Sequence, residues 1–98
     1  MFQGTTPIHR FKLPFNSERV AEARVIYQQW GRNVLTKTTE EFQREGEWIS
    51  VKLSQEETFL FGPESVTYQL RVKDTNGTAL ATKPRTISVI ECLEKEVI

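Results

Sequence analysis

The chain has few of the residues that build catalytic or metal centres. Among its 98 residues there is one cysteine, Cys92, and one histidine, His9. A structural zinc site needs about four converging ligands, and a Cys–His catalytic pair needs a third group to orient it. We therefore expect His9 on a strand surface beside Arg10, and Cys92 as a small filler or an idle thiol. The chain is predicted to hold no cofactor, to bind no metal and to be no enzyme.

The chain also lacks an excess of charge of either sign and any long apolar segment. Thirteen basic and thirteen acidic residues cancel, whereas nucleic-acid-binding domains carry a basic patch or an overall basic charge. No apolar run approaches the ~20 residues that cross a bilayer. No basic region followed by an apolar stretch marks a signal peptide, and the lone cysteine fits a reducing compartment. We expect no nucleic-acid, membrane or small-molecule partner.

What the sequence does have is strand-type alternation. In Val66–Lys73 the even positions are apolar and the odd positions are polar, which is the period of a half-buried β-strand. The run ends just before Asn76 and Gly77, which are predicted to supply the positive-φ positions of a tight hairpin. A return strand through Ile87 and Val89 follows.

Several shorter runs of the same kind predict an antiparallel β-sandwich. In chain order these are His9–Phe15, Val20–Trp30, Val34–Thr39, a short edge strand or loop over 40–46, and Glu47–Leu53. Ala21, Ala23, Val25 and Tyr27 are predicted to share one face of the second run. About seven strands separated by turn signals are typical of an immunoglobulin-like sandwich. We expect one domain over 1–98, with a flexible tail at 1–7 and a second tail at 94–98.

One short helical turn is predicted near 55–60. Ser54 and Glu57 form the Ser-x-x-Glu capping box, in which each side chain accepts a hydrogen bond from the other residue's backbone amide. The turn should end at Gly62-Pro63, with Phe59 and Phe61 closing one end of the core.

The two tryptophans are the candidate protein-contact residues. Trp48 lies on the opposite face of its strand from Ile49 and Val51, and Trp30 ends another strand. Each tryptophan either folds over the edge of the core or belongs to a contact surface, since tryptophan is enriched where proteins bind each other.

Several short segments of the sequence together resemble a known family. They are Gly4-Thr5-Thr6-Pro7 before Phe11-Lys12-Leu13-Pro14-Phe15, then Ile26-Tyr27-Gln28-Gln29, Leu53-Ser54-Gln55-Glu56-Glu57-Thr58 with Phe61, and Gln69-Leu70-Arg71-Val72 before Gly77. The chain resembles small uncharacterised phage and prophage virion-associated proteins of Gram-positive bacteria. More distantly, it is similar to the N-terminal β-sandwich domain of phage baseplate upper proteins. Ser54 stands where the family suggests threonine, a change that preserves capping.

The resemblance implies a structural or adaptor module that binds other phage proteins or itself, in the tail or baseplate. It implies synthesis in the bacterial cytoplasm and presence in the virion, and it supplies no active-site residue. The alternative is a host-directed binding module, either an inhibitor of a cellular protein or a carbohydrate-recognition domain. A sugar site would use Trp30 or Trp48 beside a polar group such as Gln28.

Overall fold

The computed structural model describes residues 1–98 and contains eight β-strands. The strands are β1 (Ile8–Lys12), β2 (Val20–Gln29), β3 (Arg32–Thr38), β4 (Phe42–Glu45), β5 (Trp48–Lys52), β6 (Ser65–Asp74), β7 (Ala79–Ala81) and β8 (Arg85–Ser88). The helical elements are α1 (Gln55–Thr58) and two 3₁₀ turns, Ser17–Arg19 and Thr39–Glu41. No helix is long and apolar enough to cross a membrane.

The strands form two antiparallel sheets, so the predicted all-β sandwich is confirmed. One sheet has the order β1-β5-β4, and the other has the order β3-β2-β6-β7, with β8 pairing the first part of β6. The short strand predicted over 40–46 is β4, at an edge. In the constant-type immunoglobulin fold the first and second strands lie in the same sheet. Here β1 and β2 lie in different sheets, because β2 is hydrogen-bonded between β3 and β6.

The core is built on the two ten-residue strands, β2 and β6. Val66, Tyr68, Leu70 and Val72 of β6 are buried, while the residues between them are not. The predicted facing of β6 is therefore confirmed. The sixteen buried apolar residues form one cluster between the two sheets.

The start of β2 differs from the predicted pattern. The register between β2 and β6 shifts between Val20 and Glu22, which is the mark of an extra residue in one strand. As a result Val20 is buried and Ala21 is exposed, while Ala23, Val25 and Tyr27 face inward as predicted.

The turn after β6 uses one positive-φ residue rather than two. Gly77 has a φ of 86°, and Asn76 does not lie in the left-handed region. The Gly77 amide donates to the Asp74 carbonyl at 3.0 Å, and the Asp74 carboxylate accepts from the amides of Asn76 and Thr78. The Asp74 amide also donates to the Thr78 carbonyl at 2.9 Å, so the loop proper is residues 75–77. A three-residue loop with glycine in the left-handed position is a common hairpin connection. The prediction for Asn76 was wrong because the Asp74 side chain organises the turn.

The segment predicted as a tail at 1–7 is packed against the body of the protein. Phe2 forms a parallel bridge with Ile90, and the Gln3 side chain is buried, donating to the Phe61 carbonyl at 2.7 Å. At the other end, the amide and carbonyl of Ile98 both bond to the side chain of Gln55. Both terminal segments therefore cover the end of the sandwich that carries α1.

Candidate functional site

Trp30 lies at the tip of the β2–β3 hairpin in a backbone conformation that tryptophan rarely adopts. Trp30 and Gly31 connect the two strands, with φ of 53° and 74°. Positive φ at both central residues is the type I′ turn, which favours Asn-Gly and Gly-Gly. The left-handed conformation costs an ordinary residue roughly 1–2 kcal/mol. A bulky residue at this point requires an explanation in what its side chain does.

The Trp30 side chain rests on the loop between α1 and β6. Its ring lies so close to Gly62 that a β-carbon there would come within 2.2 Å of it, so a larger residue at this position would displace the indole. The indole Nε1 donates to the Glu64 carboxylate. Gln29 holds the loop from below, because its side chain donates to the Gly62 carbonyl and accepts from the Gly62 amide, both at 2.8 Å. Even so, 59% of Trp30 remains exposed.

Other exposed apolar side chains surround Trp30. Leu60 and Val97 are 56% and 48% exposed, and they line the same shallow depression. Glu56, Glu91 and Lys95 also line it. We call this group of residues, together with Glu64, the Trp30 surface. Clustered exposed apolar side chains rimmed by charge are typical of a protein contact site.

Trp48 lies on a different surface, the outer face of the three-stranded sheet. In the pairing of β1 with β5, Lys12 is opposite Trp48, and Ile8 is opposite Lys52. The Arg10 guanidinium lies over the Trp48 ring, 4.4 Å from its centroid, within the range of a cation–π contact. Trp48 is 38% exposed and no other layer covers this face. We call Arg10, Lys12, Trp48 and Lys52 the Trp48 face.

The two tryptophans are not brought together. Arg44, opposite Ile49 in the β4–β5 pair, donates to the Val20 carbonyl at 2.8 Å, which places the Trp48 end of the sheet near the start of β2. Trp30 directly follows the last residue of β2. Ten residues at about 3.3 Å each separate these two ends by about 30 Å. The protein therefore has two distinct candidate contact surfaces.

His9 does not lie on the strand surface as predicted. Its side chain points inward with Phe11, its ring stacks on Tyr68 at 4.8 Å, and Nδ1 is 2.6 Å from the Tyr27 hydroxyl. Burial, followed by the charge of Arg85, lowers the pKa of His9 to about 4. Burial also raises the pKa of Tyr27. At neutral pH both groups are uncharged, so they form a structural hydrogen bond and not an activated acid–base pair.

The capping box is present and is tied to a buried lysine. Ser54 Oγ accepts from the Glu57 amide at 3.1 Å, and the Glu57 carboxylate accepts from the Ser54 amide at 2.8 Å. Lys37 of β3 is buried, and its Nζ lies 2.6 Å from the Glu57 carboxylate. Burial alone would raise the pKa of Glu57, but hydrogen bonds from Lys37 and Ser54 outweigh it and lower the pKa.

Burial of Lys37, Gln29 and Gln3 was not predicted. A polar residue such as Lys37 in an alternating strand is ordinarily assigned to the solvent side, and Gln3 lies in the segment predicted as a tail. Gln29 could have been found, because it continues the inward series Ala23, Val25 and Tyr27. The one sequence feature that indicated an ion pair for Lys37 was Glu41, four residues later. The Lys37 Nζ lies 3.6 Å from the Glu41 carboxylate. Cys92 is partly buried, and its amide donates to the Gln3 side chain. No group of three or more His, Cys, Asp or Glu side chains is arranged to hold a metal ion.

The fold and these surfaces define a small all-β sandwich with two exposed tryptophans at opposite ends of its long strands. Comparisons of the chain with protein-family models, with curated proteins and with solved structures find no match.

Proposed function

We propose that this chain is a non-enzymatic structural or adaptor module of a phage or prophage, which works by protein–protein contact in the tail or baseplate. The phage assignment rests on the sequence resemblance. The contact mode rests on one observation, the conformation and exposure of Trp30.

Trp30 supports a binding role because neither the backbone nor the core requires it. The turn would be more favourable with asparagine or glycine at this position, and most of the indole stays in water. Tryptophan, with tyrosine and arginine, is enriched among the residues that dominate the energy of protein interfaces. Its hydrogen bond to Glu64 and its packing on Gly62 fix the orientation of the ring, which reduces the entropy lost on binding.

Trp30→Asn is the variant that tests this function. Asparagine suits the left-handed position, so relief of backbone strain offsets part of the lost packing and the fold should persist. We expect the variant to weaken self-association, or association with tail proteins of the same phage, by more than about 1 kcal/mol. Sedimentation of the purified protein at increasing concentration, alone and with each tail protein, measures this.

Leu80→Ser is the matched control, because Leu80 is an exposed apolar residue on β7, outside both surfaces. It should leave association unchanged. Equal association of wild type and Trp30→Asn would remove the basis for a Trp30 contact. A titration with cell-wall polysaccharides that gave Trp30-dependent binding, without any protein binding, would favour the carbohydrate alternative.

A further inference from the structure

The Trp30 surface and the Trp48 face carry opposite charge. On the Trp30 surface, Glu56, Glu64 and Glu91 outnumber the single cation, Lys95, which is already 3.1 Å from Glu91. On the Trp48 face, Arg10, Lys12 and Lys52 share the outer side of the sheet with one carboxylate, that of Glu45 opposite Trp48, and exposed Glu47 lies in the turn beside it. The protein as a whole is neutral, so two copies carry no net charge that would oppose their association.

The cations of the Trp48 face make no ion pair within the fold, and the one contact of a cation there is that of Arg10 with the Trp48 ring. Arg10, Lys12 and Lys52 take part in none of the ion pairs of this chain, and neither does Glu56. A cation that is exposed and unpaired can meet a carboxylate on another molecule with little cost of desolvation at the rim of an interface. Each surface also supplies an exposed tryptophan for the centre of such an interface.

We propose that the Trp30 surface of one copy binds the Trp48 face of a second copy of this chain, an inference that rests on the protein-contact function proposed above. The two surfaces share no residue, so the contact is heterologous. Every copy that joins leaves one free surface of each kind. Heterologous contacts of this type continue until they close into a ring, or they grow into an open filament.

Complementation between two variants tests this arrangement. Trp30→Asn removes the tryptophan of the Trp30 surface and leaves the Trp48 face intact. Lys12→Glu/Lys52→Glu reverses the charge of the Trp48 face and leaves the Trp30 surface intact. Each variant alone should self-associate at least tenfold more weakly than the wild type. A 1:1 mixture should form dimers and nothing larger, because one intact surface of each kind remains. These populations are measured by sedimentation velocity.

Three controls keep the result interpretable. Arg71→Glu/Lys83→Glu makes the same change in net charge outside both surfaces, and it should associate like the wild type. Glu56→Lys replaces Trp30→Asn if the asparagine variant does not fold, because Glu56 is exposed and has no partner. Raising the salt concentration from 0.05 to 0.5 M should weaken wild-type association severalfold, since it shortens the range of charge attraction.

The outcomes separate this inference from the function on which it rests. Self-association that the mixture of variants does not restore would indicate a symmetric contact and overturn the heterologous arrangement, while the protein-contact function stands. A monomeric wild type that binds a tail protein through Trp30 would likewise assign the surface to a different partner. A monomeric wild type with no Trp30-dependent binding would overturn both.

Discussion

The middle of the sandwich and its α1 end are held together by different kinds of interaction. In the middle, Val25, Leu70 and Val51 from the two sheets are fully buried against each other as apolar side chains. At the α1 end the buried groups include Gln3, Gln29 and Lys37, each with a polar partner far away in the sequence. The middle is stabilised by removal of apolar area from water, and the α1 end by hydrogen bonds that fix particular loops.

The two regions differ in how well they tolerate substitution. An apolar core tolerates side chains of similar volume, because its interactions have no direction. A buried amide or ammonium does not, because removing its partner leaves an unpaired group in a dry environment. The candidate contact residue Trp30 belongs to this second region. Its ring packs on Gly62, and the side chain of Gln29 is hydrogen-bonded to the same glycine.

Leu70→Ala should have the largest effect, a loss of about 2–5 kcal/mol in the free energy of unfolding, from lost transfer energy plus the cavity left behind. Leu70 is fully buried in the middle of β6. Gln69→Ala, next to it, should lose about 1 kcal/mol or less, because its side chain donates only to the Thr82 carbonyl. Urea unfolding measures both, and equal losses would contradict the facing of β6.

Lys37→Met tests the α1 end and should lose about 1–3 kcal/mol, less than a fully buried pair because Glu57 keeps some contact with water. The methionine fits the space but leaves Glu57 without its ammonium partner. A double-mutant cycle with Glu57→Gln isolates the pair. A coupling energy near zero would mean that the loss of stability comes from removing the Lys37 ammonium itself and not from breaking its ion pair with Glu57.

His9 should make the stability of the fold depend on pH. Because its pKa in the folded state, about 4, lies below the unfolded value of about 6.5, protonation favours unfolding. Its contribution is complete above about pH 6.5 and declines as the pH falls toward 4. Discounted for partial exposure, the loss is about 1–2 kcal/mol. Unfolding of the wild type and His9→Gln at pH 7 and 4.5 measures it, and parallel pH profiles would contradict it.

Ser54→Ala should have a small effect, about 1 kcal/mol, because it removes the acceptor for the Glu57 amide at the start of α1. Ser54→Thr should change the free energy of unfolding very little, since the hydroxyl is retained. Thermal melts of the three proteins provide the comparison. A threonine variant as unstable as the alanine variant would show that packing, rather than capping, determines the choice at this position.

The parts of the fold that follow from local pattern could be predicted from the sequence. The facing of β6 follows from period-2 alternation, and the capping box follows from Ser54 and Glu57 at the required spacing. The inward position of His9 could have been found from its two-residue spacing to Phe11. The aromatic partner of His9 could not, because Tyr68 is 59 positions away along the chain.

The candidate site was predicted less completely. Exposure of Trp48 follows from its place on the outer face of an alternating strand. The left-handed backbone of Trp30 could not be foreseen, because it depends on how the two-residue turn matches the twist of β2 and β3. The partners of Lys37 and Gln29 could not be foreseen, because they lie in α1 and in the loop after it, which only the tertiary structure brings near.

The conformation of Trp30 also has a consequence for the speed of folding. The β2–β3 hairpin is the only pairing of β2 that is local in sequence, because its other neighbour, β6, pairs Gln28 with Thr67, 39 positions away. Local pairings form before distant ones, since they lose less chain entropy. Because tryptophan disfavours the left-handed conformation of this turn, it should slow formation of the β2–β3 hairpin. Trp30→Asn should therefore refold faster than the wild type. On this view the exposed indole is maintained at the expense of folding rate.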